Sequence, residues 1–210
     1  MGLPVGNLVC ASNENNVLTD FLTTGTYTAK REFFKTTSPS MDILVSSNLE
    51  RLLYHVTGSD TEVAALMKSL TETGSYTVRP ETLRTIQESF ACGWSSEEQV
   101  AGEIRARCEQ DGYLCDTHTA VAFHVAAQHK RDGVPMVVLS TASPFKFPRS
   151  VLEALGQTAP ANDFEAMQQL EEITGRTAPA SLSALRRKAE RFNTVIDPEQ
   201  IAQVALSYQA

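Results

Sequence analysis

Val137-Val138-Leu139-Ser140-Thr141-Ala142-Ser143-Pro144-Phe145-Lys146-Phe147-Pro148 is the stretch on which the fold turns. Its first three residues are apolar on both faces, as a strand covered on both sides requires, so Pro135 to Ser140 is expected to be a buried strand. The run then stops at Ser140 and Thr141 and turns into a helix behind Lys146. In open α/β sheets, ligands collect at the carboxyl ends of strands, which makes Thr141 the first residue to consider for binding. Its hydroxyl can donate or accept one hydrogen bond, and it can equally do no more than close the turn.

Working back along the chain, Leu8-Val9-Cys10-Ala11 reads as a second strand. The polar run Ser12-Asn13-Glu14-Asn15-Asn16 then offers caps to a helix carrying Val17, Leu18, Phe21 and Leu22 and ending at Gly25. Arg31 to Lys35 reads as short and extended. A helix is expected after Ser47, with Leu49, Leu52, Leu53 and Val56 on one side and Gly58 as its stop. Ser59-x-x-Glu62 reads as a capping box for Val63 to Thr73, and Ser95-x-x-Glu98 as another for a helix running to Gly112. Pro80 opens a helix at its first turn. Asp116 caps a helix containing Ala120, Ala122, Ala126 and Ala127, and Gly133 ends it. Four further helical patterns lie near 151–155, 164–173, 182–192 and 198–207. Strand followed by helix is the α/β signature, with Val9 and Val138 expected in one parallel sheet and Thr141 at its carboxyl edge. Two strands against about nine helices is a poor sheet for a self-sufficient domain. No internal repeat is apparent.

The composition bounds what the protein does. With 42% hydrophobic and 20% charged residues, 210 residues can bury a sizeable core. A net charge of -7 leaves no basic footprint for nucleic acid, and Lys130-Arg131 and Arg186-Arg187-Lys188 read as solvated faces. No apolar run approaches the ~18 residues of a membrane span and no signal segment opens the chain, so a cytoplasmic location is expected. Cys10, Cys92, Cys108 and Cys115 lack metal or redox spacing and read as small buried hydrophobes, and no metal is expected. His118 lies in the first turn of the helix capped by Asp116, where a neutral imidazole satisfied by loop carbonyls or a general base would each fit.

The Val137–Pro148 run, together with Ser38-Pro39-Ser40-Met41-Asp42-Ile43-Leu44-Val45-Ser46-Ser47-Asn48-Leu49-Glu50-Arg51-Leu52-Leu53 and Asp116-Thr117-His118-Thr119-Ala120-Val121-Ala122, closely resembles threonine synthase, a pyridoxal-phosphate (PLP) enzyme of the tryptophan-synthase-β-like fold type II family. The likeness covers only the C-terminal part of such an enzyme. It implies that residues 1–150 belong to the PLP-binding large domain and 151–210 to a helical C-terminal region. The opening Met1-Gly2-Leu3-Pro4 fits a helix end whose upstream part is missing, or an ordinary start before a loop.

By resemblance, Thr141 faces the pyridine nitrogen of PLP, where a neutral hydroxyl leaves that nitrogen unprotonated. Lys146 could be taken for the imine lysine. The resemblance places that lysine upstream, with the glycine-rich phosphate loop, so no catalytic residue is expected in this chain. Lys146 then becomes a cation near the substrate phosphate or a pairing residue. Ser38 and Ser40 could touch substrate or simply knot the loop around Pro39. The implied reaction converts O-phosphohomoserine and water to threonine and phosphate, with the N-terminal half as the missing partner and the chain inactive alone. Two other readings stay open: a non-catalytic threonine-synthase-like binding module, and a related PLP-dependent phospho-lyase that yields a 2-oxo acid.

Overall fold

The computed structural model describes residues 4–207, which leaves the first residues of the Met1–Pro4 opening outside the described part. The first half alternates short strands and helices: β1 (Leu8–Ser12), α1 (Val17–Thr24), β2 (Thr26–Thr28), α2 (Leu49–Thr57), α3 (Asp60–Thr73), β3 (Ser75–Thr77), α4 (Pro80–Gln87) and β4 (Phe90–Trp94). Helices fill the rest: α5 (Glu97–Asp111), α6 (Thr117–Gln128), α7 (Pro148–Ala154), α8 (Asp163–Thr174), α9 (Ala180–Ser183) and α10 (Ile201–Ser207). The class is α/β and helix-rich, as expected.

The strand that pairs with β1 differs from the expectation. β1 runs parallel to β4, with Leu8 opposite Phe90, Cys10 opposite Cys92 and Ser12 opposite Trp94. Residues 135–140 form no strand, so Val9 and Val138 do not share a sheet among the described residues. Among the described residues no strand lies alongside to pair with it. A strand exists by exchanging N–H and C=O groups with a neighbour, and here Val137 and Leu139 stand 77% and 73% exposed. The segment is extended and touches the body through the Tyr113 hydroxyl, which donates to Ser140 Oγ at 3.0 Å.

β4 escaped the sequence reading because Ala91, Cys92 and Gly93 carry little strand preference. Gly93 is there for close approach: a Cβ on it would meet Val125 Cγ1 of α6 at 2.8 Å. A second, antiparallel pair joins β2 to β3, with Tyr27 opposite Tyr76. It exposes a short repeat that the expectation of none overlooked, Thr24-Gly25-Thr26-Tyr27-Thr28 and Thr73-Gly74-Ser75-Tyr76-Thr77. In each copy a glycine at φ 78° or 81° ends a helix and the next three residues enter the pair. The two tyrosine rings stack with centroids 5.2 Å apart, and Phe21 meets both edge-on.

Two apolar clusters hold the molecule. One gathers Val17, Phe21, Tyr27, Leu53, Val63, Tyr76 and Ile86 from the first half. The other packs Val100, Ile104, Val121, Phe145, Val151, Leu152 and Leu170, joining residues from both sides of position 150.

Helix ends follow their caps with two shifts. Ser59 accepts from Glu62 N, but the Glu62 carboxylate pairs with Arg79 instead of closing a box. The second box lies one residue later than read: Ser96 and Gln99 bond reciprocally, while Ser95 is buried and its N–H donates to Ser12 O. The helix expected over 182–192 is reduced to α9 and one 3₁₀ turn, Ala184–Arg187. Leu185 and Phe192 stand 48% and 78% exposed, and a short helix with little of its apolar face buried is marginal.

Candidate functional site

β1 ends at Ser12 and β4 at Trp94, followed by Ser95, at the same edge of the parallel pair. The loop after β1 brings Asn13 and Asn15, fully buried or nearly so, against the loop 36–42. Asn13 Nδ2 donates to Thr36 Oγ1, to Ser38 Oγ at 3.0 Å and to Asp42 Oδ1 at 2.8 Å. Asn15 Nδ2 also donates to Asp42 Oδ1, and its Oδ1 accepts from Phe34 N. Asp42 completes the knot by accepting from the Thr36 hydroxyl and, on its other oxygen, from the Thr36 N–H. The run Ser12–Asn16, read as helix caps, is thus spent largely on this loop; Asn16 makes no cap bond and accepts from Arg31 instead. Nothing in the spacing of asparagines 19 to 29 residues from their partners could have announced that.

Ser38 is wholly buried inside the knot, whereas Ser40 is exposed at its rim. The next layer comes from the first turn of α6. Asp116, 0% exposed, caps the helix by accepting from His118 N and Thr119 N, and also takes bonds from His118 Nδ1 at 2.9 Å and from the Thr119 hydroxyl. Burial opposes its ionisation, but the His118 and Thr119 bonds outweigh that and hold the carboxyl below the usual carboxylate range. His118 Nε2 accepts from Ser40 N at 3.2 Å, and Thr117 Oγ1 donates to Thr37 O at 2.7 Å. Because Nε2 is an acceptor, the ring proton sits on Nδ1 and points at Asp116. His118 is therefore satisfied by a carboxylate and a backbone N–H, and not by the expected carbonyls. Its neighbour Cys115 is no nucleophile: burial, the larger effect, and the Asp116 charge push its thiol up to about 12.

The loop 143–147 packs on the outer side of this turn. Phe147 lies 4.7 Å from the His118 ring, centroid to centroid, and Lys146 Nζ stands 5.5 Å over the Phe147 ring. Phe145 anchors the loop in the core. Lys146 is exposed and borders a groove with Arg149, Glu153 and Asp163. Thr141 is exposed, following Ser140 at the end of the extended segment. The structure thus joins the loop carrying Ser38 and Ser40 to the loop carrying Lys146 through His118 and Phe147. No bond ties Thr141 to them among the described residues.

Glu97 adds an acidic group at the same edge. Its Oε2 accepts from Thr37 N, while Oε1 is buried with no protein partner among the described residues. No group of three or more His, Cys, Asp or Glu side chains is placed to hold a metal among the described residues. No described helix is long and apolar enough to cross a membrane.

Residues 119–205 match the family model described as threonine synthase, C-terminal. Threonine synthase of Pseudomonas aeruginosa is 35% identical over 97% of this chain and 40% of its own length. Human threonine synthase-like 1 is 37% identical over 74% of this chain and 21% of its own length. The chain therefore spans well under half of these relatives. Among solved structures, PLP-bound threonine synthase from Brucella melitensis superposes with a TM-score of 0.82 at 35% identity, over 98% of this chain and 41% of that one. Yeast threonine synthase gives the same TM-score at 26% identity, covering 99% of this chain and 43% of its own.

Proposed function

Since the chain belongs to the threonine synthase family and corresponds to its C-terminal part, we propose that it forms one wall of an active site converting O-phosphohomoserine and water to L-threonine and phosphate. The remainder of that site, with the imine lysine and the phosphate loop of the cofactor, comes from the N-terminal half of the enzyme. The observation that carries this reading is the convergence at one sheet edge: the Ser38–Ser40 loop, the Asp116–Thr119 turn and the Lys146 loop are locked to one another. Residues 1–150 are assigned to the PLP-binding large domain, 151–210 to the helical region, and the enzyme to the cytoplasm.

The donor set fits one end of PLP only. Thr141 offers a neutral hydroxyl, exposed and free to meet an unprotonated ring nitrogen, while no glycine-rich turn opens a helix to cradle a phosphate in the described residues. When bound, PLP supplies the electron sink that makes the α and β protons of the substrate removable. Thr141 keeps that sink moderate by hydrogen bonding without protonating the ring. Lys146 and the exposed Ser40 are assigned to the substrate phosphate, with buried Ser38 holding the loop in shape and reaching substrate only if the knot opens. Exposed Val137 and Leu139 then pair as a strand with the upstream half, which removes them from water.

The test is product analysis of the complete enzyme given O-phosphohomoserine and PLP. Threonine and phosphate in equal amounts are expected. A 2-oxo acid with phosphate supports instead a phospho-lyase, a reading kept in view because the human relative is named threonine synthase-like, and no phosphate release supports the binding module. Thr141→Val is expected to slow turnover roughly five- to thirtyfold, the value of one hydrogen bond, with stability little changed. Turnover equal to wild type would leave Thr141 as a turn-closing hydroxyl.

A further inference from the structure

We propose that His118 is a positioning residue that fixes Ser40 against Lys146, a role resting on the reading of these two groups as contacts of the substrate phosphate. The ring is 7% exposed and has no room to reach solvent or substrate freely, so it acts through its neighbours. Asp116 holds the Nδ1–H, which leaves Nε2 with a lone pair aimed at the Ser40 N–H. One residue earlier, Thr117 binds the carbonyl of Thr37. The loop 37–40 is thereby clamped at both ends to the first turn of α6. On its other side the same imidazole packs on Phe147, over whose ring the neighbouring Lys146 Nζ lies. His118 bonds one loop and packs on the other, so the placing of the Ser40 loop relative to the Lys146 loop depends on it. Such spacing matters to a doubly charged phosphoryl group, whose oxygens need a donor and a cation at fixed separation.

Two substitutions separate positioning from packing. His118→Gln returns an amide oxygen near the place of Nε2 and can still accept from Ser40; His118→Ala cannot. In the 210-residue chain, ¹⁵N spectra are expected to show His118 protonated at Nδ1 and bare at Nε2. Hydrogen exchange at Ser40 is expected to be slow in wild type and His118→Gln and faster in His118→Ala. In the complete enzyme, His118→Ala is expected to raise KM for O-phosphohomoserine roughly five- to tenfold with kcat nearly kept, and His118→Gln to recover most of the loss. An Nε2-protonated ring, unchanged Ser40 exchange in His118→Ala, or a loss confined to kcat overturns the proposal. If His118→Ala does not fold, the wild-type tautomer and His118→Gln exchange decide it. If wild-type enzyme leaves O-phosphohomoserine untouched, the functional reading fails while the exchange data still show whether the clamp exists.

Discussion

Asp116 gives up its water on folding and receives four donors in return, two backbone N–H groups, an imidazole N–H and a hydroxyl. Replacing it with alanine strands those donors in a buried turn, so Asp116→Ala is expected to cost roughly 2–4 kcal/mol in urea unfolding at pH 7. The pH dependence has a definite sign. The native carboxyl titrates below its ordinary value of 3.8, so its contribution is complete above that pH and is lost as the pH falls through the lower native value. The stability gap between wild type and Asp116→Ala is therefore expected to narrow from pH 4 toward pH 2. A gap that widens on acidification would mean that the carboxyl is protonated in the native state. Asp116 was legible as a cap, because Asp before a helical run is a local signal. Asn13, Asn15 and Asp42 were not, since their role depends on a loop closed from far along the chain.

At the scale of elements, legibility followed packing that is local. α1, α2 and α3 begin and end near where periodicity and glycine placed them, and α6 begins at its Asp116 cap but stops at Gln128, short of the expected Gly133. The failures have one cause in common, dependence on a partner that is distant or lacking among the described residues. β4 is built of small residues because α6 lies against it, and 135–140 looks like a strand because its composition suits burial that it does not find here. The contact at Gly93 is testable. Gly93→Ala would drive a methyl into Val125, with Gln128 Oε1 3.2 Å away on the same side, and is expected to cost about 1–3 kcal/mol. Val125→Ala in the same chain should relieve part of that cost, so that the double variant is more stable than the two single losses predict. Strictly additive losses in thermal unfolding would show that the helix has shifted away from β4.

Taken whole, the chain is held by two apolar clusters and a polar knot between its loops, yet it presents Val134, Val137 and Leu139 to solvent in one run. Exposed Phe33, Val45 and Trp94 add to the unsatisfied apolar surface. The relatives are about two and a half to five times the length matched. The central claim, that this chain supplies one wall of a PLP site and not the anchor of the cofactor, is tested most directly by imine absorbance. Purified residues 1–210 mixed with PLP are expected to show no imine band and no borohydride-reducible adduct, and a band is expected once the upstream half of the enzyme is supplied. A reducible adduct mapped to Lys146 in the chain alone would contradict the account.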